Sequence, residues 1–458
     1  MTPDCVLHKT ESARAYNLDG AIYLNSPHRS MPLLVNASAV DLFERIDGQM
    51  RVGQIIDEIA AVNDLTPDSV RAPIMSVLAE FETNGIVSRS TGIPGRDPRA
   101  PDTAGSYQFS HLFLELTSKC NLRCKHCYME GGLAKKHETP FIRYAEAIEE
   151  FAALGGTDLT LSGGEPLLFP GWLALAEIAA GAGLRTSLMT NGTYLTPHVL
   201  NELRQLDIAV GLGLDGVTED SHDMNRGRGS YREVMAAFEL LKSTRHQHNA
   251  VICFSPLKHS VYDLPAIIDM MLENGFPRLY VSLMETRGRA KYFQDRIGLT
   301  KNQRLWLLNY LFDAYMEHAG RLDIEVTHHT DIFSQLLTGQ SAKRLKAQSQ
   351  TLRIASDGDA FISAYMGAEE HCIGNLNTES VAGIMRSEAV NALFAELGVR
   401  QVQMAKCASC PFSTICDGGT AGLAYSLHGS FLEPDDYCDA RIELFKRFPY
   451  EYGRSRSS

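Results

Sequence analysis

Between residues 111 and 284 the sequence alternates short apolar runs with amphipathic stretches, and this alternation restricts the fold more than any other feature. The runs are "HLFLELT", "TDLTLSG", "RTSLMTNG", "IAVGLGLDG", "AVICFSP" and "RLYVSLM". Between them lie "FIRYAEAIEEFAALG", "PGWLALAEIAAGAG", "PHVLNELRQLD", "YREVMAAFELLKSTRH" and "YDLPAIIDMMLENG", with apolar residues at helical spacing. Parallel strands need a long crossover, and a helix supplies it. Six strands and five intervening helices therefore predict an α/β chain whose parallel sheet curls into a partial (β/α)6, TIM-like barrel over residues 109–305. Its chemistry belongs at the carboxyl ends of the strands.

The flanking regions differ in texture. "TGIPGRDPRAPDTAGS" is rich in Pro, Gly and small polar residues without apolar periodicity, so it reads as a linker, placed at 93–108. Residues 1–92 hold strand-like "AIYLN" and "PLLVN" and helix-like "ASAVDLFERIDG", "RVGQIIDEIAAVN" and "TPDSVRAPIMSVLAEFETNG". That pattern suits a winged-helix domain. After the barrel, 306–350 read as a helical bridge, and 351–458 open with "LRIASDGDAFIS", two runs joined through Asp357-Gly358, a hairpin signal. A basic helix, "ARIELFKRF", lies near the end.

The 458 residues carry a net charge of -12, which repels a phosphate backbone and argues against nucleic acid as a partner. Residues 1–92 hold seven Lys/Arg against twelve Asp/Glu, so the winged-helix pattern is not read as a DNA-binding one. No apolar run reaches the roughly 18 to 20 residues needed to cross a bilayer, and no signal peptide is visible at the start. A cytoplasmic protein without a membrane partner is expected.

Ten cysteines are present, and seven fall into two groups: Cys120, Cys124 and Cys127, then Cys407, Cys410 and Cys416 with Cys438 beyond. In a reducing compartment such grouping favours metal over disulfides. The first group, C-x3-C-x2-C in "CNLRCKHCY", follows the first barrel strand. Zinc would want a fourth ligand, and no fourth cysteine or well-spaced histidine follows, although His126 and His137 are near. Three thiolates suit a four-iron four-sulfur cluster with one iron open to an exogenous ligand.

At this point the chain resembles the radical S-adenosylmethionine (SAM) superfamily, in which SAM binds the open iron. The resemblance extends to "LSGGEPLL" after the second strand, "TNG" after the third and "GLDG" after the fourth. It implies SAM contacts at His126, Gly163, Gly164, Glu165, Thr190, Asn191, Asp215 and Arg226. In the family the position of Gly213 is commonly Ser, so this chain departs from the pattern there. "TRGRA", residues 286–290, resembles the segment closing the sixth strand.

The second group, C-x2-C-x5-C with Cys438 later, leaves zinc open on spacing alone. After such a barrel it resembles the SPASM domain, which carries auxiliary iron-sulfur clusters. The chain has Ser363 and Thr420 at two positions of the first auxiliary cluster, and no cysteine just upstream of "TLRIASDG". The resemblance therefore implies a reduced SPASM domain with two 4Fe-4S clusters in the whole chain: one that binds SAM, and one auxiliary cluster on Cys407, Cys410, Cys416 and Cys438. Cys372 matches no ligand position and is an ordinary half-buried thiol, a substitute for a missing ligand, or a hydrogen donor to a substrate radical; Cys253, on the fifth strand, is a core thiol or such a donor.

Residues 15–92 resemble the PqqD-like peptide-recognition domain, which binds a leader peptide as an added strand. Together the resemblances imply a maturase of a ribosomally made precursor peptide, supplied with electrons by a reductase or flavodoxin-type donor. It would form a thioether or carbon-carbon crosslink. Alternatives are a peptide epimerase with a Cys donor, a tetrapyrrole-modifying radical SAM enzyme, and a non-catalytic peptide or DNA carrier with structural metal.

Overall fold

The computed structural model describes residues 1–10, 13–25, 32–89, 109–132, 137–327, 329–338, 350–363, 365–416 and 418–454. The expected linker at 93–108 lies outside the described residues. Strands β1 (His8–Lys9) and β5 (Val87–Ser88) pair antiparallel, while β2 (Arg14–Leu18), β3 (Ala21–Asn25) and β4 (Leu33–Val35) form a separate antiparallel sheet in that order. Helices α1 (Ala37–Arg45), α2 (Val52–Val62) and α3 (Pro67–Thr83) follow. Asn36 caps α1 by accepting from the Ala39 N–H, and Pro67 starts α3, where its missing N–H costs nothing. Leu42, Phe43, Ile55, Ile56, Leu78 and Phe81 close a core of their own. The expected strands and helices of this region are all present, and β1, β2 and β5 are additional; two of these three span only two residues.

The six expected barrel strands are β6 (Phe109–Glu115), β7 (Asp158–Ser162), β8 (Arg185–Thr190), β9 (Ala209–Gly213), β10 (Ala250–Phe254) and β11 (Arg278–Val281). All are parallel and hydrogen-bonded in chain order. Between them run α4 (Phe141–Ala153), α5 (Trp172–Gly181), α6 (Pro197–Gln205), α7 (Glu219–Arg226), α8 (Ser230–Ser243) and α9 (Leu264–Asn274). The short, polar α7 is not among the expected helices: with buried His222 and Asn225 and mostly charged neighbours, it shows no apolar stripe to read.

The sheet goes beyond six strands at both edges. After α10 (Ala290–Ile297) and α11 (Lys301–Glu317), β12 (Asp323–Val326) adds parallel to β11. The region 306–350, expected as a helical bridge, thus contains a strand followed by α12 (Thr330–Thr338). Four residues alternating exposed and buried are too short a signal between two helices. At the other edge β13 (Gln350–Ile354) pairs parallel with β6, and β14 (Asp359–Phe361) and β15 (Gly374–Asn375) extend the sheet antiparallel. The expected hairpin through Asp357-Gly358 is therefore part of the barrel sheet itself.

Alternation along the strands separates two faces. Leu112, Leu114, Leu159, Leu161, Leu188, Val210, Leu212, Ile252, Leu279 and Val281 are fully buried in the main core. On the other face polar groups join across strands: His111 lies 2.9 Å from Thr160 and 3.1 Å from Thr351, and Thr160 lies 2.9 Å from Ser187. Parallel strands buried between helices are normally apolar on both faces. A polar inner face marks a lumen.

The C-terminal module is fastened to the barrel by buried charge and by caps. Arg353 on β13 donates to Glu115 on β6 at 2.9 Å and to the Met366 carbonyl at 2.6 Å, and Tyr128 donates to the same carboxylate at 2.8 Å. Glu150 on α4 accepts from the N–H groups of Val381 and Ala382 at a helix start. The N-terminal region packs on the same module, with Tyr23 edge-on to Phe412 and Asp19 paired to Lys446. Because Glu115 and Arg353 are 2% and 3% exposed, Glu115→Ala leaves a buried guanidinium unpaired and should cost about 3–5 kcal/mol. Glu115→Gln should cost clearly less, as read by denaturant unfolding of both variants.

Candidate functional site

Cys120, Cys124 and Cys127 sit on the loop that leaves β6 at the carboxyl end of the sheet. Its ladder is local: Cys120 N–H donates to the Gly132 carbonyl at 2.9 Å and Gly132 N–H to Ser118 at 2.8 Å. The second strand's loop lies directly against it, with Gly164 N–H to the Thr117 carbonyl at 2.7 Å and Glu165 N–H to that of Lys119 at 2.8 Å. A Cβ on Gly164 would stand 2.2 Å from the Lys119 oxygen, and Gly163 holds φ at +134°. This contact admits only glycine.

The sulfurs receive donors. Leu122 N–H points to Cys120 Sγ at 3.4 Å, Gly131 N–H to Cys127 Sγ at 3.3 Å, and Asn191 Nδ2 to Cys120 Sγ at 3.9 Å. Burial pushes the Cys120 thiol up and the Cys124 thiol up to about 12. Burial thus disfavours the thiolate form of these two groups, and a bound cation would favour it. N–H groups aimed at sulfur suit a thiolate-held iron-sulfur cluster, and the residues present fit that group.

Glu165 is fully buried and accepts from Thr190 Oγ1 at 2.8 Å, Asn191 N–H at 2.9 Å and Leu167 N–H at 3.2 Å. A carboxylate has about four acceptor positions, so one is left for a ligand donor. Burial pushes its carboxyl up to about 7 against those hydrogen bonds. Thr190 and Asn191 thus stand around Glu165, and Asn191 also bonds Asn121 at 2.8 Å.

Asp215 and Arg226 form one unit. Arg226 donates through Nε at 2.6 Å and Nη2 at 3.2 Å, while Asn225 Nδ2 and Ser255 N–H donate at 2.6 and 3.2 Å. Burial alone would raise the Asp215 carboxyl; the guanidinium holds it well below the carboxylate range. With its oxygens taken by protein donors, Asp215 orients Arg226. His126 accepts at Nδ1 from Asn225 Nδ2, and burial pushes its pKa down, keeping it neutral. The guanidinium lies over Gly213, where a Cβ would stand 2.5 Å from Nη2. The unexpected glycine follows from this contact.

Several residues here are not legible in the sequence. Arg289 donates from its backbone to the Cys127 carbonyl, from Nη1 to Cys124 and from Nη2 to Gly131, at 2.9, 2.9 and 2.7 Å. Its segment, "TRGRA", stands out as a motif, yet nothing in one sequence says that it straps the cysteine loop. Beside it a pocket is lined by Glu285, Arg287, Lys291, Tyr365, His371 and Tyr425, among others. Tyr365 hydroxyl lies 2.9 Å from that of Tyr280, 3.3 Å from Ser282 and 2.7 Å from Thr327.

The two unassigned cysteines part company. Cys253 Sγ lies 3.8 Å from Met189 sulfur, faces Gly211 across the inner face, and is pushed up to about 12 by burial. Cys253 stands opposite Gly213 in the β9–β10 ladder, and the Arg226 guanidinium overlies Gly213, which places Cys253 in the lumen beside the site. Cys372 donates to the Gly374 carbonyl at 3.2 Å, at the β15 edge.

Cys407, Cys410, Cys416 and Cys438 line one cavity with Phe412, Arg441 and Phe445. Burial pushes Cys407 up to about 12 and Cys410 up to about 11, and Arg441 Nε donates to Cys416 Sγ at 3.1 Å. Four sulfurs on one cavity, one with a cationic donor, fit a second cluster. Ser363 Oγ instead accepts from Tyr365 N–H, and Thr420 N–H donates to Asp435. Among the described residues no three His, Cys, Asp or Glu side chains converge on a single metal ion.

Gly213→Ser should collide with the guanidinium and separate Arg226 from Asp215, costing about 1–3 kcal/mol. Calorimetric titration with SAM should then show at least tenfold weaker binding than in wild type; equal affinity would show that Arg226 has room to move.

The profile of the radical SAM superfamily matches residues 114–256, and that of the iron-sulfur cluster-binding SPASM domain matches 346–411. The chain is 27% identical over 343 residues to an AdoMet-dependent heme synthase of Methanosarcina barkeri, spanning 71% of this chain and 94% of the relative. It is 24% identical over 396 residues to the antilisterial bacteriocin subtilosin biosynthesis protein AlbA of Bacillus subtilis, spanning 84% and 83%. The crystal structure of Streptococcus suis SuiB bound to precursor peptide SuiA shares the fold, with TM-score 0.58 and 15% identity over 93% of this chain and 100% of that one. The radical SAM domain uses SAM and a 4Fe-4S cluster, and the SPASM domain binds auxiliary iron-sulfur clusters. The chain thus carries a radical SAM domain within its barrel and a SPASM domain after it, and is an enzyme of that domain type.

Proposed function

We propose that the chain modifies a ribosomally made precursor peptide, with Cys120, Cys124 and Cys127 holding the SAM-binding cluster and Cys407, Cys410, Cys416 and Cys438 holding one auxiliary cluster. The observation that carries this reading is the small sheet β2–β3–β4, packed through Tyr23 on Phe412 of the module that holds the second cysteine cavity. Among the described residues β2 and β4 are its edges, and an edge strand offers unpaired backbone groups to a peptide. AlbA is matched over 84% of this chain and SuiB over 93%, more than the barrel and the C-terminal module together make up, which supports it. The heme synthase is matched over 71%.

When bound, SAM and its cluster supply an organic radical that removes a hydrogen atom from the substrate. The chain's own residues do the rest. Glu165, held by Thr190 and Asn191, offers an acceptor to the ammonium of SAM; Arg226, oriented by Asp215, offers its guanidinium to the carboxylate. Gly163 and Gly164 admit the close backbone contact, and His126 stands neutral beside Asn225 and Asp215. The peptide reaches the lumen through the pocket at Arg287 and Tyr365, while its leader rests on the N-terminal sheet. A crosslink removes two hydrogens and needs an electron acceptor, which a cluster held by Cys407, Cys410, Cys416 and Cys438 would supply; a flavodoxin-type protein or reductase would supply the electron that starts the reaction.

Anaerobic reconstitution should give about eight irons per chain, as expected for two cubane clusters, with dithionite-dependent deoxyadenosine. Short reading frames beside the gene name the peptide to incubate. A loss of two mass units supports crosslinking. No mass change in water with a gain of one unit in deuterium oxide points to epimerisation, and then Cys253→Ala, not Cys372→Ala, should abolish product. Modification of a tetrapyrrole with every peptide untouched would overturn the reading.

A further inference from the structure

The second cysteine cavity holds a side chain that cluster ligation alone does not require. Arg441 is 1% exposed. It donates from Nε to Cys416 Sγ at 3.1 Å, and from Nη1 and Nη2 to Asp435 at 3.1 and 2.6 Å. Nη1 also lies 3.3 Å from His329 Nε2. A guanidinium has donors only, so Nε2 accepts and the ring proton sits on Nδ1, 2.7 Å from the Thr327 carbonyl. Thr327 in turn supports Tyr365 at the mouth pocket through its hydroxyl, 2.7 Å away. The orientation of Arg441 is therefore fixed on two sides, by a carboxylate and by an imidazole tied to the barrel.

A buried ion pair of this kind is weak evidence for a stabilising device, since apolar replacements often serve stability as well. Its geometry suggests a different purpose. Asp435 takes both terminal nitrogens in a forked pair, which leaves Nε directed at one sulfur. Hydrogen bonds and positive charge at a cluster's sulfurs stabilise the more negative, reduced state and raise its potential. Asp435 limits the rise by compensating the charge.

We infer that Arg441 is a positioning residue that raises the reduction potential of the auxiliary cluster through Cys416, with Asp435 and His329 holding it in line, and so fits that site to accept one electron. This rests on the reading above that a cluster occupies the four-cysteine cavity. Lysine at 441 would keep the charge for Asp435 but, as a point charge, lacks a second in-line donor for the sulfur.

The test is a potentiometric titration of the reconstituted full chain, followed by electron paramagnetic resonance of the auxiliary signal. Arg441→Lys should shift its midpoint to more negative potential and Asp435→Asn to more positive, with the signal of the SAM-binding cluster unmoved. Unchanged midpoints in both variants overturn the inference, and Asp435→Asn alone decides it if the lysine variant fails to fold. A wild type with about four irons, one cluster's worth, would overturn the reading of the cavity itself and the inference with it. Eight irons with unmoved potentials would overturn only the inference.

Discussion

One guanidinium joins the last expected strand to the first. Arg289, in the segment after β11, donates to carbonyls on both sides of Cys127, at Cys124 and Gly131, and its own N–H reaches Cys127. A parallel sheet of this width could lie open; these contacts bring the segments that follow β6 and β11 together at the cysteine loop. Everything that faces the lumen depends on that closure: Glu165 from the second strand, Arg226 from the helix after the fourth, and Cys253 on the fifth. The cost of ordering three hydrogen bonds to one side chain and its backbone is offset because each satisfies a carbonyl of a loop without regular structure.

The cysteine loop and the strand-helix alternation were legible because both are local. Three cysteines within eight residues and six apolar runs with helices between them need no tertiary information. Gly213 was visible as a departure, yet its cause lay thirteen residues on, in the guanidinium of Arg226. The Arg441, Asp435 and His329 contacts were not legible at all, since His329 is 112 residues from Arg441. Strand β12 failed for another reason: four residues with two carboxylates in alternation resemble a loop until a neighbouring strand supplies the ladder.

Burial pushes both carboxyls of the site upward, and their neighbours decide the outcome. Glu165 is raised toward neutrality because its partners are neutral hydroxyl and N–H donors, whereas Asp215 stays ionised because a guanidinium sits against it. Two carboxylates near one ligand thus differ by their neighbours, and only the first retains an acceptor position for that ligand. In the proposed function recognition falls to Glu165 and Arg226, and scaffolding to Asp215 and Asn225.

Tyr23 is 3% exposed although its strand belongs to the small N-terminal sheet, because its ring stands against Phe412 at a centroid distance of 5.2 Å, and Phe412 lines the cavity of the four cysteines. The Phe412 ring thus serves two neighbours, the four-cysteine cavity and the N-terminal sheet. Removing residues 1–89 would strip Tyr23 from Phe412 and bring water to a wall of that cavity, so the N-terminal sheet also shields the four thiols.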